Sequence, residues 1–192
     1  MFYTQPELRF QMQQDVDRGD VDLMQWPIKL LHPSKRNIRM ESTFLSELQE
    51  FLQSLHGPSF KFVSPRISKF ARCLVNGQMF SSDYNYTDRG NLVKALFVLT
   101  GDNSLCPYFG IVRFFLEVDV LLDSGVKRHT FAYVSWLKFR SPNKDRDSKL
   151  YMVEKQFYVA DRFVSPRRFL TRCVLMSPNK RGDYYFVCEL PK

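Results

Sequence analysis

The sequence predicts a mainly β fold, a small curled antiparallel sheet or partly open barrel that follows an N-terminal helical arm. Five segments between residues 108 and 190 have strand-like apolar patterns and are separated by polar turns. A hydrophobic fraction of 44%, with eighteen Phe residues, is enough to build a packed core. One segment nearer the N-terminus has helical periodicity instead.

Strands are predicted at 108–122, 129–139, 151–159, 169–176 and 184–190, with earlier ones at 60–63, 67–75 and 92–100. Asn76-Gly77 predicts a type I′ hairpin turn, because both residues accept positive φ angles. In the segment 129–139, both alternating faces are apolar. This pattern is typical of a central strand that is covered on two sides.

A helix is predicted over residues 42–56, where the apolar side chains recur at helical spacing. Ser42 or Thr43 is the expected N-cap, and Gly57-Pro58 is the expected end of the helix. Residues 1–40 are predicted to be irregular. We therefore divide the chain into an N-terminal arm, 1–58, and a basic β domain, 59–192.

The positive charge is concentrated at one end of the chain. Residues 1–122 hold equal numbers of acidic and basic side chains, whereas residues 123–192 hold 15 Lys and Arg against 7 Asp and Glu. Such a field favours nucleic acid, anionic membrane or acidic protein partners, although it could also serve only to keep an aromatic-rich sheet in solution. Residues 1–22 carry a net charge of −3 and could lie against the basic region.

The sequence contains few residues suited to catalysis. No phosphate-binding loop, dinucleotide motif or nucleophile elbow is present, and no two His residues have a metal-ligand spacing. Glu117 and Asp119 alternate on one strand and could bind Mg²⁺, but a third acidic ligand is not placed. We predict no enzyme activity, no cofactor and no metal site. The four cysteines are expected to be free thiols, with a Cys173–Cys188 disulfide as the alternative.

Binding is the better supported class of function. Guanidinium forks bind phosphates and carboxylates in a bidentate manner. The predicted basic cluster consists of Lys127, Arg128, Arg162, Arg167, Arg168, Arg172, Lys180 and Arg181. Phe163 and Phe169 lie between these arginines in sequence and could stack on nucleic-acid bases, or could belong to the core.

Several landmarks resemble the bromo-adjacent homology (BAH) family over roughly residues 70–190. Tyr108-Phe-Gly-Ile-Val-Arg-Phe-Phe is similar to the strand that opens the second half of that domain. Thr130-Phe-Ala-Tyr-Val-Ser-Trp-Leu-Lys-Phe-Arg resembles its central strand. Val164, Pro166, Phe169 and Cys173-Val174 occupy the landmarks of its last segment. Ser141-Pro142-Asn143 departs from the usual Pro-Glu-Asp.

The resemblance implies a non-catalytic, nuclear module that binds chromatin proteins. Some members of the family hold methyl-lysine in an aromatic cage, to which Tyr84, Tyr86, Trp136 and Tyr151 could contribute here, although Trp136 could be a core residue instead. The stretch 71–80 also resembles modules of proteins linked to fungal transposable elements. The predicted function is therefore a nuclear interaction module for chromatin proteins or nucleic acid, with no membrane partner. The alternative is a DNA- or RNA-binding accessory protein of a mobile element.

Overall fold

The computed structural model describes residues 27–64, 66–85, 90–98, 105–139, 150–158, 162–176 and 184–190. These residues form one α-helix and eleven β-strands. The helix, α1, is Ser42–His56. The strands are β1 (Ile28–Arg39), β2 (Lys61–Phe62), β3 (Arg66–Val75), β4 (Gln78–Ser81), β5 (Leu92–Val98), β6 (Leu105–Leu122), β7 (Gly125–Phe139), β8 (Leu150–Phe157), β9 (Phe163–Val164), β10 (Phe169–Met176) and β11 (Tyr184–Glu189).

All strand pairings among the described residues are antiparallel, and part of the sheet closes on itself. Strand β6 pairs with β5, and the pairing order then runs from β5 through β10, β11 and β8 to β7. Because β7 also pairs with β6, these six strands form a ring. The long β6–β7 hairpin extends beyond this ring, where β2 and β3 pair with the outer edge of β6. Strand β1 pairs with β3 and stands at the end of the strand order.

Three buried clusters follow from this arrangement. The interior of the ring is filled by one buried side chain from each of its six strands: Leu92, Phe109, Leu137, Val153, Cys173 and Val187. A second cluster lies on the opposite face of β5, β6 and β7 and contains Phe97, Phe115 and Trp136. The third cluster lies between α1 and the β6–β7 hairpin, and includes Leu48 and Leu52 of the helix, which are fully buried.

The helix has the predicted bounds, and its C-terminal end is also as predicted. Gly57 has a φ of 78° and donates its N–H to the carbonyl of Gln53. The predicted N-cap is wrong, because Ser42 is already helical and Glu41 occupies the cap position without a side-chain hydrogen bond. None of the described helices is long and apolar enough to cross a membrane.

The mainly β class and the antiparallel sheet are confirmed. The Asn76-Gly77 hairpin is also confirmed, with φ angles of 48° and 73° between β3 and β4. The irregular assignment of residues 1–40 is wrong for Ile28–Arg39, which pairs with β3 across two irregular register shifts. These shifts, together with Pro33, obscure the period-two pattern in the sequence. Residues 1–26, including the acidic arm, lie outside the described residues.

Candidate interaction surfaces

Arg162, a member of the predicted basic cluster, is bound within the molecule. Its Nη1 donates to the hydroxyl of Tyr133 at 2.7 Å and to Glu47 Oε1 at 3.4 Å. The Tyr133 hydroxyl in turn donates to Glu47 Oε2 at 2.9 Å. The hydrogen bond to Tyr133 raises the pKa of Arg162, while burial raises the pKa of Tyr133. Arg162 therefore links α1 to the sheet by hydrogen bonds and has a structural role.

A pair of histidines connects the C-terminal end of the same helix to the sheet. The Nε2 atoms of His56 and His129 are 2.9 Å apart, and the ring of His129 stacks on Phe131 at a centroid distance of 5.4 Å. At this distance one nitrogen must donate a proton and the other must accept it. The pair thus forms a second attachment point of α1, more than two helical turns from Glu47.

Lys127 and Arg128 lie at the far tip of the β6–β7 hairpin. Arg128 donates two hydrogen bonds to Asp119, at 2.7 and 3.0 Å, and these bonds lower the pKa of the Asp119 carboxyl. Asp119 is one of the two carboxylates that, from the sequence, could bind Mg²⁺. In the structure it is paired with Arg128. Among the described residues, no three His, Cys, Asp or Glu side chains gather as a metal site.

Arg167 and Arg168 are presented by a single turn of 3-10 helix, Pro166–Arg168. Ser165 caps this turn, since its Oγ accepts the N–H of Arg167 and its carbonyl accepts the N–H of Arg168. Core residues flank the turn on both sides, namely Val164 and Phe169. The guanidinium of Arg168 lies 5.8 Å from the ring centroid of Phe97. The backbone of both arginines is therefore fixed before any partner arrives.

Arg172 lies on β10, four residues beyond this turn. Its Nε atom is buried and has no hydrogen-bond partner among the described residues. The side-chain stem packs toward Gly90, which precedes β5. Arg172 Cδ would lie 3.9 Å from a Cβ atom at Gly90. A buried donor without an acceptor costs about 1–3 kcal/mol. The Nε of Arg162 is in the same condition, but that guanidinium is already held through Nη1. Arg172 therefore has a buried donor that no described residue satisfies, and it forms no ion pair with a described residue.

The described aromatic candidates do not gather. Trp136 is 3% exposed in the cluster with Phe97, whereas Tyr84 packs against the cluster beneath α1. Tyr151 lines the ring interior beside Phe109, at a centroid distance of 4.6 Å. Phe163 and Phe169 are buried as well. Tyr86, Lys180 and Arg181 lie outside the described residues.

The ring interior holds a polar group that the sequence did not reveal. Lys94 Nζ donates to Glu189 Oε1 at 2.6 Å and to the hydroxyl of Tyr151 at 3.4 Å. Burial alone would lower the pKa of Lys94, but the hydrogen bond to Glu189 and its charge raise it above the ordinary value. The two charged residues are 95 positions apart in the chain, so their meeting depends on the pairing of β5, β10 and β11. All four cysteines are free, as predicted, and Cys173 faces this interior.

The outside of the ring presents an apolar surface that the sequence also did not reveal. We define the outer face as two rows of side chains that cross three strands: Val174, Cys188 and Leu150 in the first row, and Met176, Phe186 and Met152 in the second. Val174, Met176 and Leu150 are 38–42% exposed. One feature of the sequence could have indicated this surface. Both alternating faces of β8, β10 and β11 carry apolar residues, although only one face of each strand is needed to fill the ring.

Comparison with known proteins adds no identification. No family model, curated protein or solved structure matches this chain. The proposed function therefore rests on the geometry of the chain's own residues.

Proposed function

We propose that this chain is a non-catalytic interaction module that binds an acidic partner through the arginine turn Pro166–Arg168. The turn carries the proposal because it combines two adjacent guanidinium groups with a backbone fixed by the Ser165 cap and by buried neighbours. Preorganised arginines lose less conformational entropy when they bind a phosphate or a carboxylate. The positive excess of residues 123–192 would attract such a partner to the molecule.

The proposed setting is the nucleus, with a chromatin protein or a nucleic acid as the partner. The six-strand ring is consistent with a partly open barrel of the BAH kind, which we retain as part of the proposal. Burial of Phe163, Phe169 and Trp136 argues against recognition by base stacking. We therefore expect charge-driven contact with phosphate or carboxylate groups, without sequence-specific readout.

Salt titration of binding to short duplex DNA and to polyglutamate tests the proposal. We expect binding that weakens as salt rises, and the variant carrying Arg167→Gln and Arg168→Gln should lower the slope of log K against log salt by about 2 on DNA. Arg128→Gln is the control, because it removes a positive charge at the hairpin tip and leaves the arginine turn unchanged. If DNA is the partner class, the slope on DNA will exceed that on polyglutamate. Absence of binding to both polyanions at low salt would refute the proposal.

A further inference from the structure

The outer face is a partly exposed sheet surface on which side chains alternate regularly. On each of β8, β10 and β11, the alternate side chains point into the ring, where Val153, Cys173 and Val187 are at most 2% exposed. The six side chains of the outer face therefore point away from the ring. Two of them are Met, a side chain that adapts its shape to an opposing surface. Exposed apolar patches of this kind, with polar residues at the border, mark protein contacts.

Two opposite charges lie at diagonal corners of this face. Arg172 precedes Val174 on β10 and lies beside Leu190, whose N–H bonds to the Arg172 carbonyl. Glu154 follows Met152 on β8 and pairs with Tyr184 of β11. From strand spacing and rise, the two backbone positions are about 20 Å apart. Neither side chain forms an ion pair with a described residue.

We propose that the outer face binds a second copy of this chain about a two-fold axis, so that Arg172 of each copy meets Glu154 of the other. A two-fold axis that lies in the plane of the face exchanges two opposite corners when it runs perpendicular to the diagonal that joins them. The contact then has an apolar centre, formed by the two rows, and two ion pairs at its border. This is the usual anatomy of a protein interface.

The position of Arg172 suits this role. Its stem packs toward Gly90, which precedes β5, on the side of β10 opposite to β11. A carboxylate of the second copy would accept hydrogen bonds from the terminal nitrogens of the Arg172 guanidinium. The proposal concerns a different surface from the arginine turn and goes beyond the proposed function.

The size of the face sets the expected strength of the contact. Three strands and four rows, including the charged corners, cover about 400 Å² per copy. The total of about 800 Å² is below the roughly 1,200 Å² at which stable interfaces begin. We therefore expect a weak dimer that forms in the micromolar to millimolar range and that weakens as salt screens the border pairs.

Charge exchange between the two corners tests the proposal on the full chain. Sedimentation velocity over a concentration series should show reversible dimerisation of the wild type. Arg172→Glu and Glu154→Arg should each weaken dimerisation at least tenfold, because each puts like charges together at both ends of the contact. An equimolar mixture of the two variants should recover dimers, since opposite charges then face each other across the contact again. The chain that carries both substitutions should also recover them.

A second variant keeps the test independent of the half-buried Arg172. Met176→Asp places a carboxylate in the apolar centre and should abolish dimers, while circular dichroism and thermal melting confirm the fold of every variant. A wild type that stays monomeric at all concentrations overturns the proposal. Dimers that survive both single charge reversals, or a mixture that shows no recovery, overturn it as well. DNA binding by these variants is measured in parallel, so that loss of the arginine-turn function is seen separately.

Discussion

Two apolar sheet surfaces of this protein differ in how far the chain itself covers them. On the β6–β7 hairpin, α1 covers the sheet with Leu48 and Leu52, and at its border Glu47, Tyr133 and Arg162 form hydrogen bonds with one another. On the outer face of β8, β10 and β11, Val174 and Met176 stay exposed, and the border residues Arg172 and Glu154 lack ion-pair partners among the described residues. The chain thus covers one face with its own helix and leaves the other partly exposed.

Truncation of a side chain beneath α1, at the helix-covered face of the β6–β7 hairpin, should have the largest effect on stability. Leu52→Ala removes a fully buried side chain from beneath α1, and we expect a loss of about 2–5 kcal/mol in the free energy of unfolding. Denaturant unfolding of this variant and of Val174→Ala, which truncates the outer face, provides the measurement. Equal losses in the two variants would remove the distinction between the faces.

Removal of the Tyr133 hydroxyl should have the next largest effect. Tyr133→Phe keeps the ring that stacks on Phe114 but deletes the hydrogen bonds to Arg162 and Glu47, at a cost of about 1–2 kcal/mol in the free energy of unfolding.

The same variant predicts a pH effect with a definite sign. Burial raises the pKa of Tyr133, so the unfolded chain ionises this phenol at a lower pH than the folded chain does. The stability contribution is therefore complete below about pH 10 and is lost as the pH rises through the folded value. The difference in stability between wild type and Tyr133→Phe should shrink in that range. A difference that stays constant to about pH 11 would contradict this account.

The outer face should give the smallest stability effect and a clear binding effect. Met176→Asp changes an exposed side chain, so we expect the free energy of unfolding of the monomer to change by less than about 0.5 kcal/mol. Dimerisation should nevertheless be lost. A large destabilisation of the dilute monomer would mean that the outer face is covered within the chain, as the helix-covered face is.

Local patterns were sufficient for the elements that a single segment specifies. The periodicity of residues 42–56 predicted the helix with its observed bounds, and Asn76-Gly77 predicted the β3–β4 hairpin. Strand β10 also has the predicted bounds. Strand β1 was missed, because irregular register shifts interrupt its pairing with β3. The N-cap was assigned to the wrong residue, because a helix start needs backbone geometry as well as a suitable side chain.

The sequence by itself determined the mainly β class, the helix and the basic character of the last 70 residues. These features depend on side-chain period and composition, which are local. The tertiary structure decided which charges are used and which faces are covered. Arg162 and Arg172 both belong to the predicted basic cluster, yet one is bound to Glu47, 115 positions away, and the other forms no ion pair within the described part of the chain. The outer face differs from the helix-covered face for the same reason, since the pairing of distant strands, and no local pattern, decides what packs against each surface.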